Sequence, residues 1–164
     1  MPVLPFWHHR SAAVCIVDRE KEKVKFLWSG DSRGYFYHEK ALFQMTEDQS
    51  KAALSIKNDL YSKDDPQYRS DLNKLTAFIG MDAYGYGFHP LETAWISLKP
   101  YDMIFLMTDG ISSACSNADI QSVIQRNTSS FAVTPLFYAA SESGSQDDIS
   151  AVQIKIYSKE HEEE

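Results

Sequence analysis

Two acidic stretches in this 164-residue chain are spaced so that their carboxylates can act together: Asp109 in Thr108-Asp109-Gly110, and the pair Asp147-Asp148. Asp109 directly follows the apolar run Met103-Ile104-Phe105-Leu106-Met107, and Asp147-Asp148 directly precedes residues 149–156, where apolar and polar residues alternate. If those two runs are antiparallel neighbours, the carboxylates meet at one end of a sheet. Crowded carboxylates repel and raise each other's pKa, and a divalent cation is the usual means of keeping them ionised. An all-oxygen donor set selects Mg²⁺ or Mn²⁺ over zinc. Asp-Gly after a strand is also a common turn, and Asp-Asp before a strand is ordinary solvated turn chemistry. Spacing alone leaves both readings open.

The elements that must position these residues follow from periodicity. Residues 12–17 and 24–28 are apolar runs joined by the charged turn Asp18-Arg19-Glu20-Lys21-Glu22-Lys23, a hairpin with a buried face. Beyond Gly30-Asp31-Ser32-Arg33-Gly34, the runs Tyr35-Phe36-Tyr37 and Leu42-Phe43-Gln44-Met45 predict a second hairpin turning at His38-Glu39-Lys40. Four such strands in sequence favour an antiparallel sheet. From Thr46 to Asp71 the pattern weakens, which predicts a short helix from about Gln49 and then a mobile loop with Lys63-Asp64-Asp65-Pro66 as its breaker. Residues 81–88 carry glycines among aromatic rings and predict a loop packed by those rings. A strand is expected over 93–98, then a turn at Lys99-Pro100-Tyr101-Asp102. The run 103–107 does not alternate, as a central strand buried on both faces should not. Ser116 is placed to cap a helix with Asp119 in its first turn, and a second helix is expected over 131–141. The class is therefore α+β, helices packed on antiparallel sheet.

Composition narrows the function classes. At 43% hydrophobic and 24% charged residues the chain has the make-up of a globular domain rather than a disordered or fibrous one. No apolar run approaches the roughly 20 residues of a membrane span, and the first ten residues lack the basic-then-apolar pattern of a signal peptide, so a cytoplasmic protein is expected. The 16 basic residues are scattered among 23 acidic ones (net charge −7), with no stripe to neutralise nucleic-acid phosphates. Cys15 and Cys115 have no partners at zinc spacing and read as free thiols. The expected organisation is an extension over 1–10, a domain over 11–157 and an acidic tail over 158–164.

Four blocks taken together resemble the PPM (type 2C) serine/threonine protein phosphatases in chain order. Ser29-Gly30-Asp31-Ser32-Arg33-Gly34-Tyr35 looks like that family's Gly-Asp-Ser-Arg signature. Leu42-Phe43-Gln44-Met45-Thr46-Glu47-Asp48-Gln49-Ser50 resembles the stretch after it, with Gln49 where histidine is usual. Residues 98–111, with Asp102 and Thr108-Asp109-Gly110, are similar to the block around the family's Asp-Gly. Ser145-Gln146-Asp147-Asp148-Ile149-Ser150 looks like its closing Asp-Asn-Ile-Thr block, with Asp148 at the asparagine position. The resemblance implies a β-sandwich flanked by helices, Mn²⁺ or Mg²⁺ at one end of the sheets, and hydrolysis of phosphoserine and phosphothreonine in protein substrates by a metal-activated water. By motif matching Asp109 and Asp147 are metal ligands, and Asp48 and Asp148 are candidates for an additional ion. Gly30, Asp31, Ser32 and Arg33 are expected to be scaffold, with Asp31 and Arg33 pairing locally and Gly30 and Gly34 relieving a tight turn.

The departures are equally specific. The family's opening strands, its early acidic motif, its Asp-Gly-x-Gly-Gly block with the metal-bridging aspartate and its early phosphate-contacting arginine are not found, since the resemblance begins at about Ser11. His8-His9 are weighed as substitute ligands and set aside as surface residues near a terminus. The expectation is a partial domain, weak or inactive alone, whose exposed sheet edge invites a second chain or self-association. A pseudophosphatase serving as a binding module is the alternative. A Gly-Asp-Ser esterase with Ser32 as nucleophile needs a histidine three residues after an aspartate near the carboxyl end, and none of the five histidines fits.

Overall fold

A computed structural model describes residues 10–80 and 90–158. Its antiparallel strands form two sheets. The first hairpin, β1 (Ala12–Asp18) and β2 (Lys23–Ser29), pairs Ala12 with Ser29 through Asp18 with Lys23. The second, β3 (Arg33–His38) and β4 (Ala41–Gln44), belongs to the other sheet. The chain changes sheets at Gly30, whose φ of +101° lies in the left-handed region and where a side chain would collide with Ser11. The two hairpins therefore do not share one sheet as their succession suggested. Beside β2 lie two-residue strands, β5 (Leu91–Glu92) and β6 (Ile96–Ser97), while the second sheet has the order β4-β3-β7-β8, with β7 (Met103–Met107) and β8 (Ala151–Lys155). The continuous strand expected over 93–98 is interrupted because Thr93 Oγ1 accepts the Phe26 N–H that a ladder carbonyl would otherwise take.

The apolar runs of β3 and β7 carry two cores at once. Tyr35, Tyr37, Met103, Phe105 and Met107 point one way, onto Ile111, Ile120, Ile124 and Leu136 of the helical layer. Phe36 and Ile104 point the other way, onto Val24, Phe26 and Leu98 of the first sheet. This is why β7 does not alternate: both of its faces are covered. The layers are thus sheet, sheet and helices. Val14 and Ile16 of β1, an edge strand, remain about half exposed on the outer side of the first sheet.

Helices begin where their capping residues say. Ser50 accepts from the Ala53 N–H and opens α1 (Lys51–Lys57). The stretch expected as a loop holds α2 (Pro66–Asp71), because Asp65 accepts from the Gln67 N–H and Pro66 fits the first helical turn; the breaker is a helix start. Asp71 locks α2 to α1. Its fully buried side chain bonds Lys74, Lys51, Gln67 and Tyr61, and these partners, Lys74 first, hold its carboxyl well below the usual range against the cost of burial. A four-residue α3 (Asp109–Ser112) follows β7. Ser116 and Asp119 form a reciprocal capping box on α4 (Asn117–Arg126), as expected, and α5 (Val133–Glu142) starts two residues later than expected. Among the described residues no helix is long and apolar enough to cross a membrane. Residues 81–88, His8-His9 and the acidic tail beyond Ser158 lie outside the described residues.

Candidate metal centre at one end of the sheets

β7 and β8 are antiparallel neighbours in the register Met107 to Ala151, so the residues after one and before the other meet at the same end of the second sheet. Thr108 joins them. Its N–H donates to the Ser150 carbonyl (3.0 Å), its hydroxyl donates to the Asp148 carbonyl (3.0 Å), and the same oxygen accepts the Ser150 N–H (3.0 Å). Gly110 has no side chain to keep the two segments apart: a Cβ there would collide with the Asp148 carbonyl oxygen and come within 3.2 Å of the Asp147 oxygen. Ser145 Oγ completes the seam by donating to the Gly110 carbonyl at 2.7 Å.

The electrostatics agree with this convergence. Burial first, then the negative charges of Asp31 and Asp147, push the Asp109 carboxyl above the ordinary aspartate range. Asp31 is raised as well, by burial most of all and also by Asp48, while a hydrogen bond from Ser11 and the charge of Arg33 work in the other direction. Asp31 thus lies near enough to Asp109 for their charges to act on each other, beyond the scaffold role expected for its block. The signal available in the sequence was its position two residues before β3, whose first residue, Arg33, pairs with Met107 at the end of β7. One Asp147 oxygen accepts the N–H of Asp148 at 2.8 Å; Asp148 itself contributes its main-chain carbonyl to Thr108.

The local pairing expected between Asp31 and Arg33 is replaced by a stronger one. Arg33 meets Asp48 in a two-pronged ion pair, Nε to Oδ1 at 2.8 Å and Nη2 to Oδ2 at 2.6 Å, with Nη1 donating to the Ser112 carbonyl and the Tyr35 hydroxyl at 3.3 Å each. The fork of a guanidinium matches a carboxylate edge and leaves Asp48 committed to a structural bond. Burial opposes the Arg33 charge, but the bonds to Asp48 outweigh it and raise its pKa. Gln49, at the position where histidine is usual, accepts the Gly30 N–H through its side chain. Gly34 is needed for packing rather than for a turn: a Cβ there would come within 2.6 Å of the Phe26 ring. Ser32 is buried against Ser11, their hydroxyls 2.7 Å apart, and His38 sits at the far end of β3 on Asp102, so no nucleophile–base pair forms with it.

Arg33→Met is expected to leave Asp48 half-enclosed without a cation. Loss of a fully buried pair costs about 3–5 kcal/mol; with both side chains about 20% exposed, a loss of about 1–3 kcal/mol is expected in urea denaturation. Adding Asp48→Leu should recover part of that loss. A single variant as stable as wild type would show that the pair is idle.

No protein-family model matches the chain. It is 24% identical over 136 residues to the serine/threonine phosphatase stp of Listeria welshimeri, a match covering 82% of this chain and 52% of that protein. Its fold superposes on that of the serine/threonine phosphatase Stp1 from Staphylococcus aureus with a TM-score of 0.73 at 17% identity, over 88% of this chain and 55% of that one. The catalytic domain of the serine/threonine phosphatase PstP in complex with two manganese ions gives a TM-score of 0.68 at 20% identity, over 84% and 55%. The helix-flanked antiparallel sandwich is thus the architecture of the bacterial serine/threonine phosphatases. The chain resembles the PPM-type phosphatases and spans about half the length of the relatives it matches.

Proposed function

We propose that the chain supplies one side of a metal-dependent protein serine/threonine phosphatase centre, with Asp109 and Asp147 as ligands for Mn²⁺ or Mg²⁺ and Asp31 as a further carboxylate of the same site. The observation that carries this reading is the raised Asp109 carboxyl, crowded by Asp31 and Asp147 at the end of the second sheet, which a divalent cation would relieve. The donor set is all oxygen and suits these metals. It is also incomplete: among the described residues no three His, Cys, Asp or Glu side chains gather closely enough to hold an ion by themselves. A divalent cation, when bound, supplies Lewis acidity toward a phosphoester and its attacking water. The residues of this chain would position its ligands: the Thr108 clamp fixes the segment after β7 against Asp148 and Ser150, and the Arg33–Asp48 pair holds the neighbouring segment. Phosphoserine and phosphothreonine proteins are the proposed substrates. The two free thiols, Cys15 and Cys115, suit a reducing cytoplasm.

In-line attack by a metal-activated water needs cations held in fixed geometry, so the 164-residue chain alone is expected to be weak or inactive. The experiment is Mn²⁺-dependent turnover of a phosphothreonine peptide, by this chain and by a version joined to a segment carrying an Asp-Gly-x-Gly-Gly block. Little turnover by the first and clear, chelator-sensitive turnover by the second is the expected result. Activity of the short chain that is abolished by Asp147→Asn would show that its own residues suffice; inactivity of both would favour the second reading, a binding module that keeps the fold without turnover. That reading draws its support from the incomplete donor set. The half-exposed outer side of β1, with Val14 and Ile16, is where a second polypeptide or second copy would pack in either case.

A further inference from the structure

A second concavity lies at the opposite end of the second sheet, separated from Asp109 by the length of β7, roughly 17 Å at the usual rise per residue. It is a cavity of about 670 Å³, within the range of roughly 300–1,000 Å³ typical of small-molecule sites. Its floor is rigid. The Asp102 carboxylate, 3% exposed, accepts His38 Nδ1 at 2.7 Å and the Lys99 N–H at 2.8 Å, and the Tyr101 N–H bonds the Ile156 carbonyl at 2.7 Å.

Two observations mark the cavity as more than a gap between loops. The first is charge: on a chain of net charge −7, Lys40, Lys99 and Lys155 converge on it. The two carboxylates there are already engaged, Glu39 by Lys99 at 3.0 Å and Asp102 by His38. Lys155 is held by the Thr128 and Ser130 carbonyls, with its ammonium 5.9 Å from the Tyr157 ring centroid. The second is backbone strain. Among the described residues five non-glycine residues have positive φ, and three of them border this cavity: Glu39 (48°), Lys40 (67°) and Tyr101 (72°). Glu39-Lys40 is a two-residue hairpin loop of the kind that Asn-Gly would form without strain. Strained loops that present charged and aromatic side chains to one cavity are a feature of ligand clamps.

We propose that this cavity binds a small organic anion carrying a flat ring, its phosphate or carboxylate against the ammonium groups of Lys40 and Lys155 and its ring against Tyr101 and Tyr157. The two tyrosines are exposed at 70% and 59%, so their rings are available to stack. The inference does not depend on the phosphatase reading, since it uses none of the carboxylates at the other end of the sheet.

Adenosine 5′-monophosphate is a suitable probe, titrated without divalent metal while the tyrosine ring protons are followed by NMR. Saturable shifts at Tyr101 and Tyr157 are expected. Adenosine, which lacks the anion, and inorganic phosphate, which lacks the ring, should each bind at least about tenfold more weakly. Lys40→Met, at an exposed hairpin tip, should weaken the nucleotide by about tenfold with the melting temperature unchanged, and Tyr157→Ala should do the same. Asp109→Asn should leave the affinity as it is. Absence of saturable shifts at millimolar nucleotide would overturn the proposal. So would equal binding by phosphate alone, unchanged affinity in both cavity variants, or a loss confined to Asp109→Asn, which would put the anion at the carboxylate end.

Discussion

Gly110→Ala is expected to destabilise the protein by about 2 kcal/mol, although alanine is the better helix former by about 1 kcal/mol. Gly110 is buried in α3 with an ordinary helical backbone, so strain in φ is not the reason. A Cβ would meet the main chain of Asp148, 2.9 Å from its carbonyl carbon, and main chain cannot rotate away as a side chain can. Relief requires the Asp147–Asp148 segment to move off Asp109, breaking the Thr108 clamp. A fall in melting temperature of roughly 4–8 °C is therefore expected, together with loss of any Mn²⁺ effect. Gly144→Ala is the control. That glycine has φ +83° and open space around it, so it carries the backbone cost without the collision. If Gly110→Ala melts with wild type and Mn²⁺ still stabilises it, the close approach at the seam is unimportant.

Asp109→Asn should act in opposite directions with and without metal. In metal-free protein it removes a partly buried charge that Asp31 and Asp147 repel, so the variant should melt above wild type at neutral pH. The folded state holds the Asp109 proton more tightly than the unfolded chain does. Wild-type stability from this group is therefore greatest below the ordinary aspartate pKa of about 3.9, declines as pH rises through the elevated folded value, and is level above it. In the variant that decline is absent. Asp71, with its depressed carboxyl, contributes the reverse dependence, stability lost on acidification, in both proteins. With Mn²⁺ at a hundred times its Kd, wild type should gain about 2.7 kcal/mol, or roughly 5–10 °C, and the variant almost nothing. Calorimetry at several pH values, with and without Mn²⁺, measures all of this. A variant that melts below metal-free wild type and responds equally to Mn²⁺ would remove Asp109 from the site.

What the sequence disclosed was local. The two hairpins, the Ser116 cap and the double-faced strand β7 all declare themselves within a few residues, through alternation, turn residues and capping chemistry. The meeting of Asp109 with Asp147 was also accessible, because strand ends and a single antiparallel pairing determine it. Other features depend on contacts that no local pattern encodes. Arg33 has an aspartate two residues before it and another fifteen after, and only the turn back through β4 selects Asp48. The Asp31 charge reaches Asp109 because β3 lies beside β7, a pairing of segments some seventy residues apart. The break between β5 and β6 rests on one threonine hydroxyl competing for a ladder N–H. The Pro66 helix was hidden by a residue that stops a helix from one side and starts it from the other.

The two-sided burial of β3 and β7 has a consequence for how the chain finds its register. Where one face of a strand is wet, a slip by one residue turns polar groups inward and is penalised at once. Here Tyr35, Phe36 and Tyr37 are all buried, so hydrophobicity hardly distinguishes the correct alignment from its neighbours. Shape must do so instead. Gly34, opposite Leu106, leaves the notch that the Phe26 ring fills, and a one-residue slip would thrust a tyrosine ring into that space. A glycine thus acts as the alignment key of the central strand pair, read against a ring that belongs to the first hairpin.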